Sequence, residues 1–366
     1  MAKLLAMYLP QIHEFKENNE WWGNGYTEWS AVKSSKPLFK GHYQPHIPLN
    51  KNYYDLSDST AKAFKWQAEL AKKYGIDGFC IYNYWFLGHQ LMEKPLDILY
   101  EHKDIQLNYC ICWANETWTR TWYGLEKEIL IEQTYGDCND WKKHYQYLSK
   151  FFKDPRYIKR DNKPVLCIYH TKDIDELDKM IDLWNKLAID DGFNGIYLIS
   201  GNTNAFVLED RDELVDAYYN FEPGYSLKHK QTKFEDFEYY FSTFFKQNIN
   251  RIKKKKILER KLSTEKVYKQ CIKQIEKTNK KVFYGIFPEW DNTPRRKYKG
   301  LVYNNSSPKL FGKYLGELIS RVDKNDFIFI NAWNEWGEGA YLEPDTKHKY
   351  EYLEEIKKQL EINEER

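Results

Sequence analysis

Glu335 and Glu338 stand three residues apart, directly after an apolar run that ends in Trp333, with Trp336 between them and Tyr341 just beyond. If the chain turns helically there, side chains at this spacing become neighbours, and Gly337 and Gly339 permit the sharp turn. Two adjacent carboxyls are what cleavage or transfer of a glycosidic bond requires. One gives a proton to the leaving oxygen, the other acts as base or nucleophile, and retaining enzymes hold the two roughly 5 to 5.5 Å apart. Aromatic surroundings raise the pKa of a carboxyl and so divide acid from base. The ordinary reading of such a pair is the exposed first turn of a helix. A position between tryptophans at the end of an apolar strand argues against that reading.

The residues that close the other apolar runs are of one kind. They are Tyr8 and Gln11; Tyr82, Asn83, Tyr84 and Trp85; Trp113, Asn115 and Glu116; Tyr169 and His170; Ser200 and Asn202; Asn220 and Glu222; Glu289, Trp290 and Asp291. Amides and carboxylates hold hydroxyl-rich ligands, and flat aromatics with a polar edge cover sugar rings. No Ser-His-Asp order, phosphate-binding glycine loop or cysteine nucleophile emerges. Asp173-Ile-Asp175 and Asp210-Arg-Asp212 match a metal-binding Asp-x-Asp, but both read as helix caps. His42 and His46 have ligand-like spacing, yet Pro45 forbids the helix that would align them.

Positioning these residues falls to short apolar runs rich in β-branched and aromatic residues, separated by amphipathic stretches, the pattern of a buried parallel sheet. Eight such runs occur: Leu4 to Pro10, Gly78 to Trp85, Asn108 to Ala114, Pro164 to His170, Gly195 to Gly201, Asp216 to Glu222, Lys281 to Pro288 and Asp326 to Trp333. Helices are expected over Thr60 to Tyr74, Asp140 to Lys153, Asp175 to Ala188, Pro308 to Ser320 and Glu351 to Leu360. Eight alternations predict an α/β chain folded as a single-domain (β/α)8 TIM barrel, with the chemistry at the C-terminal ends of the strands. Two long excursions emerge on that face. Gln11 to Leu56 carries Trp21, Trp22, Tyr26, Glu28, Trp29 and Tyr43, of which Trp29 is a candidate sugar contact; Gly224 to Lys280 is a basic, helical insertion.

Aromatic residues make up 17% of the 366, including 13 Trp and 30 Tyr, although mean hydropathy is only −0.79. A net charge of +2 gives no overall field that would favour nucleic acid. The Lys253 to Lys256 run suits contact with an anionic membrane surface or a phosphate-bearing lipid carrier, but lacks an obvious apolar partner face and reads first as a solvated stretch. Of six cysteines, four lie in the apolar runs, and Cys110 and Cys112 cannot form a CxxC pair. Buried, reduced thiols are expected. No export signal or long apolar span is visible, which predicts a cytoplasmic protein.

Six segments resemble the WbsX-type proteins: Tyr8-Leu-Pro-Gln11, Gly25-Tyr-Thr-Glu-Trp29, Gly41-His-Tyr-Gln-Pro45, Tyr53-Tyr-Asp-Leu56, Trp113-Ala-Asn-Glu-Thr-Trp118 and Asn331-Ala-Trp-Asn-Glu-Trp-Gly-Glu-Gly339. That group is similar to the family-99 glycoside hydrolases, the endo-α-mannosidase barrels. The resemblance implies a retaining reaction without a glycosyl-enzyme ester. Glu335 would act as base on the sugar 2-hydroxyl, giving a 1,2-anhydro intermediate, and Glu338 would protonate the leaving oxygen and then activate the acceptor. It implies no metal or organic cofactor. The expected partner is an α-linked, mannose-like oligosaccharide or polysaccharide, free or lipid-linked. A glycosyltransferase of surface-polysaccharide synthesis is the second reading, because the group is identified with such transferases, and a non-catalytic glycan-binding barrel is the third.

Overall fold

The computed structural model describes residues 1–119, 128–203, 213–229, 233–273 and 279–365. The Asp210-Arg-Asp212 motif lies outside them. Eight parallel strands close into a barrel: β1 (Lys3–Tyr8), β2 (Gly78–Phe86), β3 (Tyr109–Trp113), β4 (Lys163–Ile168), β5 (Tyr197–Asn202), β6 (Ala217–Asn220), β7 (Lys281–Ile286) and β8 (Phe327–Ile330). They pair in sequence order, and β1 completes the ring by pairing with both β2 and β8. Each of the eight apolar runs is therefore a barrel strand, and the (β/α)8 expectation holds.

Helices cover the outside. Lys62–Tyr74 ends at Gly75, whose φ of 82° supplies the left-handed turn that stops it. Cys138–Phe152 is capped by the Asp137 carboxylate, which accepts from the amides of Asn139 and Asp140. Leu177–Asp190, Pro308–Ile319 and Glu351–Glu364 complete the expected set. Glu93–Glu101 was not anticipated, because its apolar positions are too few to set a period. Inside the barrel, Cys80, Cys110 and Cys167 bring their sulfurs within 4.8 Å of one another. All six cysteines are free thiols, and five are buried.

Both excursions fold. The first contains helices Lys16–Trp22 and Glu28–Ser34. The second holds helix Lys233–Ile252, a strand Arg260–Ser263 that pairs in parallel with Leu301–Asn304, and helix Thr264–Cys271. No helix among the described residues is long and apolar enough to cross a membrane.

Candidate active site

After β8 the chain makes a tight hairpin: Asn334–Glu335 pairs antiparallel with Ala340–Tyr341, and Trp336–Glu338 forms one 3-10 turn between them. Residues i and i+3 nearly eclipse in a 3-10 turn, so Glu335 and Glu338 project to the same side. There both meet the guanidinium of Arg295, which stands on the connection after β7. Its Nη2 lies 2.9 Å from Glu335 Oε2, and its Nη1 lies 3.0 Å from Glu338 Oε1. Arg295 Nη2 also donates to Glu28 Oε1 at 2.7 Å. Glu28 is fully buried on the first excursion and accepts a second bond from the Gly337 amide at 2.7 Å. One cation thus serves three carboxylates, all on short charge-assisted bonds.

Neither Arg295 nor the pairing role of Glu28 was evident in the sequence. The only local hint is that Gly337 leaves room for them. A Cβ at that position would overlap Glu28 Oε1 and lie 2.7 Å from Arg295 Nε. Gly337→Ala is accordingly expected to push the hairpin off the guanidinium, cutting turnover at least tenfold and costing about 1–3 kcal/mol of stability. Parallel turnover and thermal-melting measurements check this; an active, fully stable variant would mean that the close approach is not needed.

Burial dominates the electrostatics. Glu335 is pushed up to about 8, first by loss of water and then by repulsion from Glu338 and Glu28, with Arg295 pulling the other way. Glu338 is raised for the same reasons, Arg295 and Arg296 opposing. Glu338 keeps 17% of its side chain open against 9% for Glu335, so it is the member that a ligand reaches more easily. Glu116 is raised by burial and by the charge of Glu338, and lies 3.8 Å from His170. The buried Tyr82 and Tyr84 hydroxyls feel the charge of Glu335, and Tyr169 feels Glu116 and Glu338. These side chains form the neighbourhood of the pair. Trp118 stands edge-on to Tyr84, and Trp21 packs beside it, both half-buried.

Several expected sugar contacts sit elsewhere, and strand alternation explains most of them. Tyr8, Trp85, Trp113 and Trp333 point out of the barrel. Tyr8 packs against Phe64 and donates to Gln67 at 2.8 Å; Trp85 stacks on His144 at 4.6 Å; Trp113 meets the same ring edge-on. Trp333 and Trp336 both direct their indole N–H groups to the Glu343 carboxylate, at 3.0 and 2.7 Å. Trp336 is stacked on Tyr341 at 3.7 Å and flanked by Trp29 at 5.3 Å. Trp29, Trp336 and Tyr341 are therefore buried backing that dries the carboxylate pair, with no open face for a ring. Glu343, also unforeseen, is raised to about 7 by burial against four hydrogen-bond donors.

The polar candidates are largely engaged. Asn115 clasps β3 to β4 by bonding both the N–H and the C=O of His170. Asn202 donates to Asn220 on the outward side of β5, and Gln11 is buried against Asn18. Glu222 holds the start of helix Gly224–His229 through the amide and hydroxyl of Ser226. Glu289 bonds Tyr352 at 2.9 Å and is held low by His348 and Lys347 despite its burial. Asp291 pins the first excursion by bonding His42 and Gln44, each at 2.7 Å, and its amide donates to Glu338 O at 2.6 Å. That contact gives His42 a structural role. Trp290 precedes it, with its indole N–H buried and lacking an acceptor among the described residues.

The chain is a closed (β/α)8 barrel with two raised carboxyls on a hairpin at the C-terminal end of its last strand. The chain belongs to the WbsX glycosyltransferase family, whose model matches residues 4–356. It is 33% identical over 366 residues to the uncharacterized protein WxcX of Xanthomonas campestris pv. campestris, covering 98% of this chain and 50% of that one, with a second strain's WxcX at 32%. The chain thus spans about half the length of these relatives. In structure it is similar to the family-99 endo-α-mannosidase of Bacteroides thetaiotaomicron, with a TM-score of 0.59 at 12% identity, covering 99% and 97% of the two chains. A glycoside hydrolase-like protein gives 0.57 at 14% identity, with 98% and 93% covered. At such identities these likenesses concern the fold alone.

Proposed function

We propose that the barrel acts on an α-linked, mannose-like glycan by a retaining reaction in which Glu335 and Glu338 are the working pair. The observation that carries this reading is the convergence of both carboxyls on the Arg295 guanidinium, with Glu116 and three tyrosines around them. Glu335, the more deeply buried member, takes the 2-hydroxyl proton as that oxygen closes on the anomeric carbon. Glu338, the more open member, protonates the departing oxygen; it then draws a proton from the incoming water or sugar hydroxyl as that oxygen attacks the anomeric carbon, the C1–O2 bond opens and Glu335 returns its proton to O2. Tyr84, Tyr169 and Glu116 contact the sugar. Burial raises both carboxyls and their shared guanidinium makes them titrate as a unit; the reaction requires the proton on Glu338 and an ionised Glu335.

Transfer to a sugar hydroxyl uses the same steps with a different acceptor. The family's own description favours this second reading, and a lipid-linked oligosaccharide is a fitting substrate for it. Incubation with defined α-mannosides, without and then with labelled nucleotide sugars, tests both. Cleavage or transglycosylation without nucleotide is expected; incorporation strictly dependent on nucleotide would overturn the glycosidase-type mechanism.

A further inference from the structure

Helix Lys233–Ile252 in the second excursion packs on the barrel by one side only. Tyr239 faces inward, accepting from Arg260 Nη1 at 3.3 Å, and Asn250 ties the helix end to Ile257. Away from that contact Phe237, Tyr240, Phe241, Phe244, Phe245 and Ile252 are each more than half exposed, Phe237 and Phe241 at the rim of a cleft shared with Leu227 and Gln270. These positions recur at helical spacing, so they form one aromatic stripe. Isolated apolar residues on a surface are ordinary, but a contiguous stripe of five aromatics marks a binding face.

The chain leaves this helix straight into Lys253–Lys256, all exposed. Between Tyr239 and Leu258 there are six cations and no acidic residue. The apolar face missing from the sequence reading of the lysine run is therefore the helix just before it. Phe and Tyr beside clustered lysines are the composition of a helix lying in a lipid interface, rings among the acyl boundary and ammonium groups on anionic headgroups. An antiparallel pair of copies is the alternative occupant of this face, and a lipid-free dimer distinguishes it.

We infer that the aromatic stripe of helix Lys233–Ile252, together with Lys253–Lys256, docks the barrel on an anionic lipid bilayer surface. The inward side of the helix stands near the candidate site, because Arg296 interacts electrostatically with Tyr239 and Arg260 on one side and Glu338 on the other. A docked barrel would present its mouth to a glycan carried on a lipid. That last step rests on the proposed function; the docking itself does not.

Vesicle co-sedimentation of the full chain tests the inference. Phosphatidylcholine vesicles containing 30% phosphatidylglycerol should bind it, and pure phosphatidylcholine vesicles should not. Binding should weaken steeply as salt screens the lysines. Replacing Lys253, Lys254, Lys255 and Lys256 together by Gln should reduce partitioning on the order of a hundredfold. A Phe241→Ser/Phe244→Ser/Phe245→Ser variant should lose about tenfold or more while keeping wild-type turnover on a soluble glycan. Equal binding to neutral vesicles, no binding to either, or a lipid-free dimer abolished by the phenylalanine changes would each overturn the docking. Inactivity on every soluble glycan alongside intact vesicle binding would instead count against the proposed reaction.

Discussion

Glu335→Gln and Glu338→Gln are each expected to lower turnover on an α-mannoside with a poor leaving group by on the order of a thousandfold, with the barrel still folded. The two losses should differ in kind. Without Glu338 the leaving oxygen departs unprotonated, so a substrate carrying an activated phenolic leaving group should recover most of the rate. Without Glu335 the 2-hydroxyl keeps its proton and no activated leaving group helps. Recovery by the Glu335 variant alone would exchange the two roles. Recovery by Glu116→Gln, with neither hairpin variant rescued, would move the acid to the end of β3. Amide substitution keeps the shape and removes the charge, so a melting curve close to wild type is part of the expected result.

The second large effect is on Arg295. Arg295→Gln leaves Glu28, Glu335 and Glu338 facing one another without their cation, and stranding buried charge in this way costs about 3–5 kcal/mol. The penalty should depend on pH with a definite sign. Glu335 already titrates near 8 when folded, against 4.5 when free. Its folded form therefore binds a proton that the unfolded chain has released, and stability falls as pH rises from about 4.5 to 8. Removing the guanidinium steepens that fall. The variant should melt close to wild type at pH 5 and well below it at pH 8.5; an equal deficit at both pH values would point to lost packing alone. Arg295→Lys should recover only part of the loss, because one ammonium cannot fork to several carboxylates.

The sequence was informative where the signal is local. Eight apolar runs became eight strands because a strand buried on both faces must be continuously apolar. Five helices were found from amphipathic spacing and end signals such as Gly75, though the cap Asp137 was not recognised and that helix was expected to start at Asp140. The carboxylate pair stood out because both members lie within one short motif. What stayed hidden depends on long-range pairing. Arg295 meets Glu28 across 267 positions, and nothing adjacent to either names the other. The tryptophans misled for a related reason. Residue type suggested sugar platforms, but alternation turns Trp85 and Trp113 toward the helices, and a buried Glu343 draws the indole N–H groups of Trp333 and Trp336. The apolar companion proposed for the lysine run lies one helix earlier, outside the run itself.

Glu28 comes from the loop that follows the first strand, whereas Arg295 and the hairpin belong to the last quarter of the chain. Their meeting requires β1 to have zipped onto β8. With that seam open the chain still carries all four side chains of the Arg295 cluster, but Glu28 is not held against Arg295, because the salt-bridge knot is tied by sealing the cylinder. In the proposed reaction, sealing the cylinder between β1 and β8 is therefore what brings Glu28 to the Arg295 cluster.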